Sequence, residues 1–384
     1  MKLLIIHNFY PSDSGSGEDL TLSAIGDYLR ESGIEIDSYT MKSWRDLNWK
    51  CKFHALITFS NLNIINDIKF WIKIRNVDAI QIHNPFPSLN LVKILLLRCT
   101  KIPIVKVVQN YRLSCLNGKH FRQLRTCQSC SYRSFFIPGI KYKCYQQSGI
   151  KSFVIAVHQV YLNRVLNVKK CRYVAISKGV EQHLISQKVN RANITRIYNS
   201  TNSLKKVDCD ADEFLFVGRL EFEKGISNLL EVWKSNPQLP ILNVVGDGSL
   251  SNVLRSKYDN LLNVRFWGSL PHQEMDFIAL RSVALIAPDL WEEPFGRVKS
   301  EALSRGQTLI TTSFPMGVDI RSNASVLFIS RDSINDWIRV IEMANSKRRL
   351  NSFDENYKLW KDNFSPDVIK PQWKEFFNSL VRFK

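Results

Sequence analysis

Acid is missing from a long stretch of this chain. Between Ala79 and Val180 there is no Asp or Glu, while Lys and Arg number 17. The net charge is +18, so nearly all of the excess lies in that one segment. A field concentrated in this way argues for an anionic partner: nucleic acid, lipid headgroups or a phosphorylated substrate. The plainer alternative is a solvated basic face, although a mixed-sign surface serves solubility equally well. Long apolar runs are also lacking. The longest, such as LVKILLL (91–97), fall well short of the ~20 residues that a membrane-spanning helix needs. The opening MKLLIIHNFYPS offers one lysine and four apolar residues before His7 and Asn8 interrupt, too little for a signal peptide. The expectation is a cytosolic protein. No internal repeat of fixed short period and no low-complexity tract is present. A dinucleotide fingerprint is incomplete as well: Gly15 and Gly17 are there, but Leu20 takes the place of the third glycine.

Eight cysteines are spread unevenly. Cys115, Cys127, Cys130 and Cys144 fall close together, whereas Cys51, Cys99, Cys171 and Cys209 are scattered. In a reducing compartment a local cluster reads first as a metal site. The spacing contains one tight C-x2-C chelate, consistent with a structural zinc, and unliganded thiols are the alternative.

What is present is alternation. KLLII (2–6) is followed by a Ser/Gly/Asp loop and an amphipathic stretch, LTLSAIGDYLRESG (20–33), that ends at Gly33. Strand-like runs recur at 54–60, 78–83, 102–109 and 173–177, with helical patterns between most of them. After a polar linker (203–212) a second series has strands at 213–218, 241–246, 263–268, 283–288, 308–312 and 325–330. With 384 residues, the pattern predicts an α/β protein of two doubly wound, Rossmann-like domains facing a cleft.

In such sheets, ligands bind at the carboxyl ends of strands. Arg219 stands directly behind Gly218 at one strand end, with Lys224 five positions on. Two cations beside a glycine suit a pyrophosphate; an exposed loop with salt bridges to Glu221 and Glu223 is the alternative. Gly246 and Gly248 flank Asp247 in a tight turn. In WEEPFGRVKSE (291–301), Pro294 and Gly296 keep Glu293 in a loop, and a helix is predicted from about Arg297 to Arg305. Its free amides suit an anion, and Glu293 and Glu301 can both look toward it, as acceptors for sugar hydroxyls. The alternative makes Glu293 a helix-dipole partner and Glu301 a surface charge.

FVGRLEFEKG, VVGDG and EEPFGRVKSEALSRG, in that order, resemble the retaining glycosyltransferases of family 4, which have the GT-B fold. HNFYPSDSGSGED (7–19), IHNPFPS (82–88) and NYRLSCLNG (110–118) extend the resemblance to the first half. The last of these, with the C-x2-C and Cys144–Tyr145, is similar to a subgroup of bacterial surface-polysaccharide transferases. The resemblance implies an acceptor-side domain over 1–204, with a basic insertion at about 110–150. It also implies a donor domain over 205–364 and a helix, 365–384, returning to the first domain. Arg219 and Lys224 would hold the donor diphosphate, Glu293 the sugar and Glu301 the ribose. Gly15 and Gly17 would approach the phosphates, with Gly218, Gly246, Gly248, Phe295 and Gly296 lining the donor. Gln109 stands where many relatives have a catalytic-site histidine; it can hydrogen-bond but cannot take up charge. His83, Asn110 and Arg112 would face the acceptor. No catalytic metal is required. The expected donor is a nucleotide-diphosphate sugar, and the expected acceptor is a saccharide, one linked to polyprenyl diphosphate included. The basic segment and the aromatics of 132–145 imply peripheral contact with an anionic membrane, at the inner face of the cytoplasmic membrane. A zinc-containing nucleic-acid-binding protein is the competing class; it leaves Arg219, Lys224, Glu293 and Glu301 without a purpose. A sugar-nucleotide-binding protein without transfer activity is the other alternative.

Overall fold

The computed structural model describes residues 1–9, 17–41, 64–86, 89–131, 135–167, 171–206, 211–312, 326–331, 333–346 and 353–381. The strand expected at 54–60, Gly15, Cys51 and Cys209 lie outside the described residues. The chain divides into two compact units. The first comprises 1–120, 127–199 and 369–384; the second comprises 121–126 and 200–368. A short stretch inside the expected insertion therefore groups with the second unit.

The first unit is a parallel sheet with helices between its strands. Its strands are β1 (Lys2–Asn8), β2 (Glu35–Met41), β3 (Ala79–Ile82), β4 (Ile104–Val108), β7 (Cys171–Ala175) and β8 (Ile194–Arg196), in the order β2-β1-β3-β4-β7-β8. Strand β2, EIDSYTM, escapes sequence reading because its polar alternation is that of an edge strand. Between the strands run α1 (Gly17–Glu31), α2 (Ile64–Arg75), α3 (Leu91–Cys99), α4 (Ile137–Lys141), α5 (Gly149–Leu166) and α6 (Lys178–Ser186). The caps follow from sequence: Asn90, Ser148 and Ser177 each accept a hydrogen bond from a backbone amide of the first turn. The hairpin β5 (Phe121–Arg122) and β6 (Arg125–Thr126) interrupts the basic segment.

The second unit has β9 (Glu213–Val217), β10 (Leu242–Val245), β11 (Val264–Gly268), β12 (Ser282–Ala287), β13 (Thr308–Thr311) and β14 (Val326–Phe328). All pairs are parallel, and the order is β11-β10-β9-β12-β13-β14. This is the doubly wound order, with its switch point between β9 and β12. Its helices are α7 (Ile226–Ser235), α8 (Ser251–Tyr258), α9 (His272–Leu280), α10 (Arg297–Ser304), α11 (Ile334–Ser346), α12 (Phe353–Asn363) and α13 (Pro366–Val381). The core forms where α7 and α11 set Leu229, Trp233, Trp337 and Ile341 against Phe214, Val244 and Ile310 of the strands. From Ile369 onward, α13 belongs to the first unit, where Trp373 and Phe377 are buried and Lys370 pairs with Glu31 at 2.7 Å.

The strand ends of the second unit are packed too closely for side chains. Gly246 has φ +133°, and a Cβ there would stand 1.9 Å from the Gly218 carbonyl oxygen. Gly246→Ala is therefore expected to lower the unfolding free energy by about 2 kcal/mol or more, read as a shift of the urea midpoint. A wild-type midpoint would show that the two loops part without cost.

Candidate functional site

The switch point of the second sheet brings together the loops that follow β9 and β12. Gly225, at φ +71°, begins α7, and a Cβ on it would stand 2.0 Å from the Pro288 carbonyl oxygen. The Leu290 amide donates to the Glu223 carbonyl at 2.8 Å. These contacts fasten the two loops together, so that charges far apart in sequence meet. Lys224 Nζ bonds to a Glu293 carboxylate oxygen and lies 3.2 Å from Asp289 Oδ1. The other Asp289 oxygen accepts from Lys299 Nζ at 2.9 Å.

Asp289 and Lys299 were not singled out by sequence, yet both are buried. The signal was available: Lys299 occupies the inward face of α10 with Ala302 and Leu303, and a lysine on that face implies a buried counter-charge. Burial favours the neutral amine of Lys224, but the Asp289 and Glu293 charges outweigh it and raise its pKa above the ordinary lysine value. Burial likewise opposes the Asp289 carboxylate, and Lys224 with Lys299 holds it below the ordinary value. Both groups are ionised at neutral pH.

The other expected residues take different places around this network. Arg219 is half-exposed, with its guanidinium 3.6 Å from Glu223. Glu301 is buried and accepts from Arg297 Nε at 2.9 Å, so it is not a surface charge. Phe295 is a core residue, edge-on to Phe364 at 5.8 Å. Gly296 begins α10 at φ +81°. Gly218 ends β9 with its amide on Val245, and the Gly248 amide bonds to Asp247 and Ser251. A Cβ on Gly248 would stand 2.6 Å from the Leu220 carbonyl oxygen, so this glycine, like Gly246, serves loop–loop approach.

In the first unit, His83 stands at the end of β3 between two glutamines. Gln81 reaches its Nε2 at 2.7 Å and Gln109 its Nδ1 at 3.1 Å. Burial, with the His7 and Lys106 charges, lowers its pKa well below 6.5. A neutral imidazole has one donor and one acceptor, so one glutamine amide must face it with oxygen and the other with nitrogen. His83 and Gln109 therefore form one hydrogen-bonded unit. Asn110 Nδ2 donates to Glu18 Oε1 at 2.7 Å, and Asn110 Oδ1 accepts from the Arg112 amide at 3.1 Å. Gly17 opens α1 beside Glu18. His83, Lys106, Asn110, Arg112 and His158 line a small pocket. Burial pulls the Lys106 ammonium down to about 8, with Glu18 and Cys171 opposing, while its Nζ donates to the carbonyls of His83 and Val107.

The four clustered cysteines are thiols, not disulfides. Burial, with the charges of Cys115, Cys144 and Cys127, pushes Cys130 up to about 11. Among the described residues no group of three or more His, Cys, Asp or Glu is placed to hold a metal ion. Nearby, Ser114 Oγ lies 2.9 Å from Nε2 of both His120 and His183, with Tyr111 stacked on His120.

Comparison with known proteins bears on the second unit first. Residues 204–360 match the family of glycosyl transferases group 1. A glycogen synthase of Mycobacterium tuberculosis is 33% identical over 108 residues, 26% of this chain and 26% of that protein. The matched stretch thus spans about a quarter of the length of this relative. HepE of Anabaena, solved with UDP and glucose, shares the fold over 99% of this chain and 100% of its own, with a TM-score of 0.67 and 14% identity. WaaG, a glycosyltransferase involved in lipopolysaccharide biosynthesis, does so over 98% and 99%, with a TM-score of 0.63 and 14% identity. The two parallel-sheet, Rossmann-like units thus have glycosyltransferases of the GT-B fold as structural neighbours.

Two predictions follow from the geometry. Asp289→Asn takes a carboxylate away from the buried Lys299 and is expected to cost about 3–5 kcal/mol in urea unfolding. Lys299→Met in the same chain should recover much of the loss; independent, additive losses would contradict the pairing. Separately, burial lowers His120 to about 3 and His158 to about 4, so both fold neutral. The unfolded chain binds their protons below about pH 6.5, so stability is full above that value and falls as pH drops toward the folded values. Each should contribute about 2 kcal/mol of loss between pH 6.5 and 5, and His158→Gln should flatten that slope.

Proposed function

We propose that this protein is a retaining glycosyltransferase of family 4 that moves a sugar from a nucleotide-diphosphate donor to an acceptor hydroxyl. The observation that carries the reading is the meeting of Lys224 and Glu293 at the switch point, 69 residues apart in sequence. With Arg219 half-exposed and 3.6 Å from Glu223 on the same loop, the strand ends hold cations for a diphosphate and a carboxylate for sugar hydroxyls. The match to glycosyl transferases group 1 covers all of these residues, and HepE, a neighbour in fold, binds UDP and glucose.

In the reaction, the bond between the sugar's anomeric carbon and the donor phosphate oxygen breaks. The electron pair leaves with the diphosphate, whose growing charge Lys224 and Arg219 neutralise. The acceptor oxygen bonds to the anomeric carbon, and its proton passes to the leaving phosphate. Lys224 is charged and desolvated before the donor arrives, so a diphosphate oxygen takes over a bond that Glu293 or Asp289 now holds. Glu293 is thereby released toward the sugar. Glu301 takes the ribose, and Gln109, tied to His83, can offer hydrogen bonds but no charge. The acceptor in this reading is a lipid-linked saccharide of bacterial surface-polysaccharide synthesis at the inner face of the cytoplasmic membrane. The acid-free segment and the lipopolysaccharide role of WaaG support it.

A thermal-shift series across nucleoside diphosphates tests the donor site; at 100 times Kd, the matching one stabilises by about 2.7 kcal/mol. Glu301→Ala should weaken nucleotide binding about tenfold, whereas Glu293→Ala should lower kcat about a hundredfold with nucleotide affinity kept. Negligible effects of both would overturn these roles. Nucleotide binding without sugar transfer to any saccharide acceptor would favour the non-catalytic alternative.

A further inference from the structure

Helix α2 lies against α3, α3 against α5, and α5 against α4, so four helices of the first unit form one layer. Their outward sides carry large apolar side chains that a solvated helix does not need. On α5, Ile150 is 71% exposed and Phe153 50%, and with Val157 and Tyr161 they make one stripe at helical spacing. Leu95 on α3, Ile68 and Ile72 on α2, and Ile137 on α4 are exposed in the same way. Single exposed apolar residues are ordinary, but a set recurring across four adjoining helices marks an interaction surface.

The charge on this layer has one sign. Lys69 and Arg75 are exposed on α2, Arg98 on α3, Lys141 on α4 and Arg164 on α5. Helices α3, α4 and α5 contain no acid. The one acid on α2, Asp67, turns inward to Lys93 at 2.8 Å, where both are largely buried. Arg164 stands 5.6 Å from the Tyr161 ring and Lys141 5.9 Å from Tyr142, pairing aromatic bodies with cationic tips.

We propose that this four-helix layer docks the protein on an anionic membrane surface, with the aliphatic and aromatic stripe of α5 entering the headgroup region. Aliphatic side chains among cations match a bilayer interface, where apolar burial and headgroup charge act together. A nucleic acid would leave Ile68, Ile72, Leu95 and Ile150 without a stacking partner, since such contacts use flat rings. Two copies joined through this layer would set like charges against one another. The proposal takes its purpose from the lipid-linked acceptor above and rests on that reading for the purpose alone. It moves the membrane contact from the 132–145 segment to the helix faces beside it.

The test is flotation of the full chain with vesicles of phosphatidylglycerol and phosphatidylethanolamine, alongside neutral phosphatidylcholine vesicles. Binding is expected to the anionic vesicles only, with part of it surviving 0.5 M salt at about a tenth of its low-salt strength. The double substitution Ile150→Ser/Phe153→Ser should weaken binding about tenfold or more and remove the salt-resistant part. Its melting temperature and nucleotide thermal shift should remain those of the wild type. Wild-type flotation by the variant would overturn the proposal. So would a lipid-free dimer that the variant abolishes. Flotation as expected from a protein that answers to no nucleotide would sink the transferase reading and leave this surface standing.

Discussion

Asp289 sits at the end of a buried strand with a lysine on each carboxylate oxygen, and the second unit is arranged around that sharing. An ammonium taken out of water must face a counter-charge, and the fully buried Lys299 takes Asp289 at 2.9 Å. Lys224 has two, Asp289 and Glu293, and is therefore the cation whose partner can change. That asymmetry gives the network its chemistry. One lysine is locked into the fold, and the other stays charged and can be shared with an incoming anion.

The loops that hold this network have no room of their own. Gly225 lies against Pro288, Gly246 against Gly218 and Gly248 against Leu220, each where a methyl group would collide with backbone. The first approach joins the loops after β9 and β12 at the switch point, and the other two press the loop after β10 against the loop after β9. Motif glycines that would be read as yielding space to a ligand here yield it first to neighbouring loops.

The first unit solves the opposite problem. The buried histidines of the acid-free segment have neutral partners: His83 between glutamines, His120 beside a serine, His158 on a backbone carbonyl. A segment without acids cannot offer carboxylates to imidazolium, so burial and amide or hydroxyl partners set the protonation state. Arg98, Lys101, Lys141 and Arg164 of the same segment turn outward, whereas Lys93 and Lys106 are buried. The lack of acid thus accounts for the neutral buried imidazoles and for the single sign of the exposed charge.

Sequence alone determined the alternation of elements, the strand ends that carry Arg219, Lys224 and Glu293, and the acid-free segment. These are local or cumulative properties: hydrophobic period, glycine at a turn, and a count of charges. Tertiary structure decided what depends on contact between distant residues. Glu301 became buried, Phe295 became core, and Gln109 and His83 became partners because loops from different strands converge on them. The stripe on α5 is the clearest case. GIKSFVIAVHQVYLNRVL is apolar on nearly every side, so its periodicity could not say which face would be covered. Packing against α3 and α4 chose that face, and left Ile150 and Phe153 on the other.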